Sequence, residues 1–200
     1  MKVEERIKEM IGFDPYNEKE CLEAVKKNPY FLEYVKNQTP KVCIAAIKQF
    51  GDALVLSYVK NQTEDICLEA VKENGYALKY VNNQTEDICK EAVKQNGLSL
   101  QYVKEQTPEI CLEAVKKNPY SLEYVNNQTE DICLEAVKQN GMALKYVKNQ
   151  TPEICMKAIR EDGYALKFVH NQTEDICIEA VKQDGMALRF VDKEFYHLFE

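Results

Sequence analysis

The feature that most constrains this chain is a block of about 22 residues that recurs along almost its whole length. The segment at 61–72, Asn-Gln-Thr-Glu-Asp-Ile-Cys-Leu-Glu-Ala-Val-Lys, returns unchanged at 127–138 and in weaker copies elsewhere. One cysteine marks each block, with spacings of 22 residues and a single spacing of 24: Cys21, Cys43, Cys67, Cys89, Cys111, Cys133, Cys155 and Cys177. Self-similarity at a fixed period of this length indicates stacked structural repeats. The sequence therefore predicts eight repeats.

Repeat positions are numbered one to twenty-two from the threonine that opens most copies, so that the cysteine is position five. Threonine at position one, followed by Pro or Glu and then an acid, is an N-cap with negative charge in the first helical turn. Apolar residues at positions four, five, six, eight and nine cover roughly 200° of a helix surface, which requires neighbours on several sides. These positions predict a first helix, helix A.

A second helix, helix B, is predicted to begin at position thirteen. Asn or Asp at position twelve precedes either Gly or Pro, as in Asn28-Pro29 and Asn74-Gly75. Proline cannot adopt a positive φ, so a shared backbone excludes a left-handed glycine there and makes position twelve an N-cap. We expect asparagine at position twenty-one to end helix B in the left-handed conformation and glutamine at position twenty-two to link to the next threonine.

The predicted fold is all-α, an α-solenoid of eight two-helix repeats over 17–192, with an N-terminal capping helix at 1–16 and a C-terminal capping segment at 193–200. The residues expected to cover the two ends are Val3, Ile7, Met10 and Ile11, and Phe195, Tyr196, Leu198 and Phe199. The extra Phe50-Gly51 accounts for the 24-residue spacing and predicts a local bulge.

Composition and charge exclude several classes of function. The net charge is −7 and the acidic residues and lysines are interleaved, which argues against a nucleic-acid partner. The longest uncharged apolar run, 53–59, is far short of the roughly 20 residues that cross a bilayer, and the N-terminus has no apolar signal core. Eight cysteines without a secretion signal indicate a reducing compartment, and we expect a cytoplasmic location.

No catalytic residue, metal ligand or cofactor site is predicted. The cysteines form no Cys-x-x-Cys pair and only His170 and His197 could supplement them, so position five is interpreted as packing. Six Asn-Gln-Thr triplets match the glycosylation acceptor and are interpreted as a helix end followed by a cap. No Gly-rich phosphate loop or nucleophile with a nearby histidine is present.

The candidate binding surface is the exposed side of helix B at positions fourteen and seventeen, named here the helix B ridge. Position seventeen changes charge from repeat to repeat, and position fourteen exchanges Tyr, Leu and Met beside it. Position eighteen is Tyr or Phe throughout and is predicted to lie in the core. The residues predicted to contact a partner are Tyr30, Glu33, Tyr76, Lys79, Tyr120, Glu123, Met142, Lys145, Tyr164, Lys167, Met186 and Arg189.

The blocks Cys-Leu-Glu-Ala-Val-Lys-Gln-Asn-Gly-x-Ala-Leu-Lys-Tyr-Val and Asn-Gln-Thr-Glu-Asp-Ile resemble a family of short helical repeats of unknown function that is multiplied in giant DNA viruses and in some bacteria and phages. The resemblance covers about residues 17–192. It implies a helical array and a viral source, and it supplies no catalytic residues. The expected function is a non-enzymatic scaffold that binds a protein, such as a host protein in the host cytoplasm. The alternatives are a small-molecule-binding or sequestering protein and a modular nucleic-acid reader with one nucleotide per repeat.

Overall fold

The structure, a computed structural model, describes residues 8–200. Within this range every regular element is a helix and no strand is present, and the predicted all-α repeat solenoid is confirmed. Val3 and Ile7 of the predicted capping helix lie outside the described residues. The chain forms two compact units, one reaching to Lys104 and the other beginning at Glu105, and each contains four repeats.

Helix A is an α-helix and helix B a 3₁₀-helix, labelled α and η with the number of the repeat. The first unit contains α1 Glu18–Lys27, η1 Pro29–Glu33, α2 Pro40–Ile47, η2 Ala53–Tyr58, α3 Glu64–Glu73, η3 Gly75–Tyr80, α4 Glu86–Gln95 and η4 Gly97–Tyr102. The second unit contains α5 Pro108–Lys117, η5 Pro119–Tyr124, α6 Glu130–Gln139, η6 Gly141–Tyr146, α7 Pro152–Glu161, η7 Gly163–Phe168, α8 Glu174–Gln183, η8 Gly185–Phe190 and η9 Lys193–Leu198.

The predicted caps are confirmed at both helix starts. The Thr129 side chain accepts the Ile132 N–H, and the threonines of repeats two to eight all act this way. At position twelve, Asn140 accepts the Met142 N–H at 2.9 Å through its side chain, while its own N–H bonds to the Ala136 carbonyl at 3.1 Å. One residue therefore ends helix A and begins helix B, and the glycine that follows has no positive φ.

The predicted end of helix B is wrong. Helix B is a 3₁₀-helix that stops at position eighteen, and position nineteen is extended, as in Val147 with φ −75° and ψ 117°. Position twenty-one is not left-handed, since Phe50 is the only non-glycine residue with positive φ in the described part of the chain. The reason lies in the glutamine at position twenty-two of the preceding repeat, because Gln128 Oε1 accepts the Lys148 N–H at 2.9 Å and so removes the donor that would extend helix B of the next repeat.

The core of each repeat consists of the cysteine, alanine and β-branched residues of helix A and the leucine and valine of helix B. Leucine at position sixteen is at most 1% exposed in the first seven repeats, whereas Leu188 of the last repeat is 41% exposed. Adjacent A helices also bond through side chains, as where Thr151 donates to Glu130 of the preceding repeat at 3.0 Å. Each repeat thus completes the core of its neighbour.

The insertion and the two ends depart from the repeat. Phe50 and Gly51 have φ of 67° and 59° and form the predicted bulge after α2. Near the N-terminus Met10 is exposed, because the chain turns at Gly12 with φ 79°, and Phe13 instead packs on Phe31 with ring centroids 5.6 Å apart. At the C-terminus the side chains expected to cover α8 are only partly buried: Phe195, Leu198 and Phe199 are half-buried and Tyr196 is exposed.

Replacing Asn140 with alanine is expected to lower the free energy of unfolding by about 1 kcal/mol, because the N-cap of η6 is lost. The side chain also donates to the Tyr120 hydroxyl at 2.9 Å. Urea unfolding followed by circular dichroism measures the change, and Asn126→Ala is the control, since that exposed asparagine forms hydrogen bonds through its backbone groups, which alanine keeps. Equal midpoints and slopes for Asn140→Ala and the wild type would contradict the cap.

Candidate interaction ridge on helix B

The structure places the predicted ridge residues on the 3₁₀ helices, with position seventeen exposed in every repeat. At position fourteen Tyr30, Tyr120 and Met186 are exposed, while Tyr76, Met142 and Tyr164 are half-buried. Each unit therefore presents its own series of ridge side chains. Sequence reasoning correctly expected this side of helix B at the surface.

Aromatic rings join one repeat to the next beneath the ridge. A ring at position fourteen packs edge-on against the ring at position eighteen of the following repeat. The pairs, with their centroid distances, are Tyr30–Tyr58 at 6.1 Å, Tyr76–Tyr102 at 6.0 Å, Tyr120–Tyr146 at 6.0 Å and Tyr164–Phe190 at 5.5 Å. The position-eighteen rings are half-buried or exposed, so their predicted place in the core is wrong: they lie next to the exposed position seventeen, and four of them pack against the rings of the surface pairs.

Cations at position seventeen lie over the rings. Lys145 Nζ is 5.1 Å from the Tyr146 ring centroid, and Lys167 Nζ is 4.8 Å from that of Phe168. The Arg189 guanidinium lies over two rings, at 4.6 Å from Phe190 and 5.0 Å from Tyr164. Lys79 lies over Tyr80 in the first unit at 5.6 Å. These distances are in the range of cation–π attraction, so the charged groups have preferred positions on the surface.

Tyrosine hydroxyls at position fourteen reach the cap residue of the next repeat. Tyr120 accepts a hydrogen bond from Asn140, and Tyr30 donates one to the Asp52 carboxylate. This hydrogen bond to Asp52 is the main cause of the raised pKa of Tyr30. Tyr30 and Tyr120 are thus anchored at both the ring and the hydroxyl.

The residue that sequence reasoning missed is glutamine at position twenty-two, which we name the glutamine clamp. The Gln128 amide donates to the Leu122 carbonyl of its own repeat and, at 2.8 Å, to the Tyr146 carbonyl of the next, while Oε1 accepts the Lys148 N–H at 2.9 Å. Equivalent bonds to the next repeat are made by Gln38, Gln62, Gln84, Gln106, Gln150 and Gln172. The signal was present, because this position is glutamine in seven successive repeats, although a residue that only linked two helices could be any of several polar types.

The cysteines are buried and free, as the sequence predicted for a packing residue. Burial raises the pKa of the thiols of Cys43, Cys111, Cys133 and Cys177 to about 11. In repeats three to eight the thiol donates to the preceding glutamine clamp, for example Cys177 to Gln172 at 3.2 Å. In the described range no three His, Cys, Asp or Glu side chains cluster as a metal site.

A comparison with protein families identifies the repeat. The domain of unknown function DUF4116 matches five times in overlapping steps of about 22 residues: 63–107, 85–130, 107–151, 129–173 and 151–196. Together these matches span 63–196, more than half of the chain. The chain belongs to the DUF4116 family.

Each DUF4116 match spans two successive repeats, which is the smallest piece that contains one complete glutamine clamp. The match confirms the predicted resemblance to a repeat family of unknown function. No curated protein and no solved structure matches the chain. Within residues 8–200, no helix is long and apolar enough to cross a membrane. The DUF4116 assignment supplies no activity, so the function is argued from the surface itself.

Proposed function

We propose that this DUF4116 chain is a non-enzymatic scaffold that binds a protein partner along the helix B ridge. The observation that carries the proposal is that the contacts beneath the ridge recur between repeats, whereas the exposed residue on the ridge differs from repeat to repeat. The backbone beneath the ridge is fixed by the glutamine clamps and ring pairs, while position seventeen changes through Glu33, Ser57, Lys79, Gln101, Glu123, Lys145, Lys167 and Arg189. A preorganised surface of exposed aromatic and charged side chains lowers the entropic cost of binding a protein.

A small-molecule function has less support. A cavity of about 520 Å³ lies at the C-terminal end, lined by residues that include Met186, Leu188, Tyr196 and Phe199. Its volume would hold a small ligand, but its lining is mostly apolar, and sites for nucleotides also need several converging polar groups. We therefore propose the helix B ridge, rather than this cavity, as the binding site.

The proposal includes a reducing compartment such as a cytoplasm, because eight free thiols pack in the core and none of the described cysteines is paired. A viral origin, with a host protein as the partner, also belongs to the proposal and rests on the sequence resemblance alone.

The test compares charge reversals on the two faces of the second unit. A partner is captured with the immobilised full chain and purified, and its Kd is measured by calorimetry. We expect Lys145→Glu with Lys167→Glu to weaken binding about tenfold or more, because both side chains lie on the ridge. Lys138→Glu with Lys182→Glu changes the charge equally on helix A and should alter Kd by about twofold at most. The reverse ranking would assign the interface to helix A and overturn the proposal.

A further inference from the structure

We propose that the helix B ridge of the second unit recognises an acidic, extended polypeptide segment, with one carboxylate for each of Lys145, Lys167 and Arg189. The inference rests on the proposed function and adds the chemistry of the partner. Three observations support it: the ion pairing of the cations, their contacts with rings, and the distribution of charge between the two faces; the usual spacing of packed helices then sets the length of the segment.

Within residues 8–200 the three ridge cations form no ion pair, whereas three of the six helix A cations of the second unit do. In the described part of the chain no carboxylate lies within ion-pair distance of Lys145, Lys167 or Arg189. On helix A of the same unit the pairs are Lys116–Glu113 at 3.8 Å, Lys157–Glu161 at 2.9 Å and Arg160–Glu179 at 3.7 Å. An anionic partner would therefore meet no competing carboxylate at the ridge cations, whereas half of the helix A cations already have one nearby.

The rings position the free cations before a partner arrives. All three cations are exposed and lie 4.6–5.1 Å from the centroid of the ring that follows them in sequence. A long side chain that already lies along a ring loses less rotamer freedom on binding than one that moves freely in solvent. The rings thus make these cations better recognition groups than ordinary surface lysines.

Charge is distributed unequally between the faces of the second unit. Positions twelve to twenty of its repeats carry four cations, Lys145, Lys148, Lys167 and Arg189, and four carboxylates, Glu123, Asp162, Asp184 and Asp192. Positions one to eleven carry ten carboxylates against six cations. The helix B side is therefore neutral while the helix A side is negative, so an acidic segment is repelled less by the ridge than by helix A.

The geometry favours a polypeptide over a nucleic acid. Single-stranded nucleic acids bind by stacking bases on open ring faces. Here the faces of Tyr146, Phe168 and Phe190 are covered by the cations themselves. Packed helices lie about 8–10 Å apart, which an extended chain in the polyproline II conformation crosses in about three residues at roughly 3.1 Å each. Three residues make one turn of this conformation, so carboxylates at every third residue lie on one side of the chain and would face one cation per repeat.

The experiment uses a fluorescent twelve-residue peptide with glutamate at every third position among Ala and Ser. Its Kd for the full chain is measured by fluorescence anisotropy at low and at physiological salt. The triple variant K145A/K167A/R189A is expected to raise Kd about tenfold or more, and added salt should weaken wild-type binding. The matched control K116A/K157A/R160A removes the same three residue types from helix A and should change Kd by about twofold at most.

Further arms test the charge and spacing of the segment. K145R/K167R should keep wild-type affinity, because it keeps the charge. A peptide with Gln for Glu should lose about tenfold in affinity, and one with its glutamates moved together at one end should bind more weakly than the regular peptide. Circular dichroism of each variant establishes that the fold is intact.

Three outcomes would overturn the inference. The first is an equal loss of affinity in both triple variants, which indicates nonspecific electrostatics. The second is no binding of the peptide at low salt. The third is tighter, ridge-dependent binding of a single-stranded oligonucleotide of equal charge, which changes the class of partner. If a captured protein depends on Lys145 and Lys167 while acidic peptides do not bind, only this inference fails. A captured protein indifferent to the ridge overturns the proposed function itself.

Discussion

Gln128→Ala is expected to lower the free energy of unfolding by about 2 kcal/mol, a large effect for a polar side chain. The substitution removes the donors to the Leu122 and Tyr146 carbonyls and the acceptor for the Lys148 N–H. The Leu122 carbonyl keeps its bond from the Val125 N–H, so two backbone groups, the Tyr146 carbonyl and the Lys148 N–H, lose their partner at the junction, and each costs about 1 kcal/mol or more.

The control is Gln139→Ala, which removes the same side chain from the exposed end of α6. Gln139 bonds to Glu135 at 2.9 Å and only weakly, at 3.4 Å, to the Val115 carbonyl. We expect its cost to stay below about 0.5 kcal/mol. Urea unfolding followed by circular dichroism gives both values under the same conditions. Equal destabilisation by the two substitutions would show that the clamp adds nothing beyond an ordinary surface glutamine.

Gly141→Ala is expected to destabilise the chain by about 2 kcal/mol, because the added methyl group would meet the main chain of the next repeat. A Cβ at this position would lie 2.3 Å from the Ala158 carbonyl oxygen and 3.0 Å from the Asp162 Cβ. The same approach occurs at Gly163, where the Ala180 oxygen would be 2.7 Å away. Backbone cannot rotate aside as a flexible side chain can, so the junction must open to admit the methyl.

Gly185 provides the matched control, because it occupies the same repeat position where no further repeat follows it in the described chain. A Cβ there would have no neighbour within 4 Å. Gly185→Ala should therefore raise stability by about 0.5 kcal/mol, through the smaller conformational freedom of the unfolded chain. The two substitutions are chemically identical, but their changes in the free energy of unfolding should have opposite signs. Pro119, which has a Cβ, occupies the equivalent position in repeat five, so the junction there accommodates the extra atom. An unchanged unfolding midpoint for Gly141→Ala would show that the junction after repeat six can adjust in the same way, which would contradict the prediction.

Features set by local chemistry could be predicted from the sequence. Thr129 caps α6 and Asn140 caps η6 because each side-chain oxygen reaches an N–H two or three residues ahead. The choice between glycine and proline after Asn140 and its equivalents excluded a left-handed residue, and the structure confirms this. The exposure of Lys145 followed from its place outside the apolar arc of helix B.

Features set by the neighbouring repeat could not be predicted. Six residues of helix B fit an α-helix and a 3₁₀-helix almost equally well, and the glutamine clamp decides between them with bonds that span repeats. The pairing of Tyr120 with Tyr146 depends on how far one repeat is displaced along the next, which no local pattern specifies. The same applies to Leu188, whose exposure reflects the end of the stack rather than its own sequence environment.

The glutamine clamp has a consequence for how such a chain can change in length. Its bonds to the following repeat end on main-chain groups, such as the Tyr146 carbonyl and the Lys148 N–H, and in most repeats on a cysteine thiol that every copy carries. The contacts of the glutamine clamp therefore do not depend on which side chains the neighbouring repeat has on its surface. Duplication, deletion or exchange of a 22-residue block keeps the same joint chemistry on both sides. Surface residues can then be reassorted in whole modules without redesign of the contacts between them.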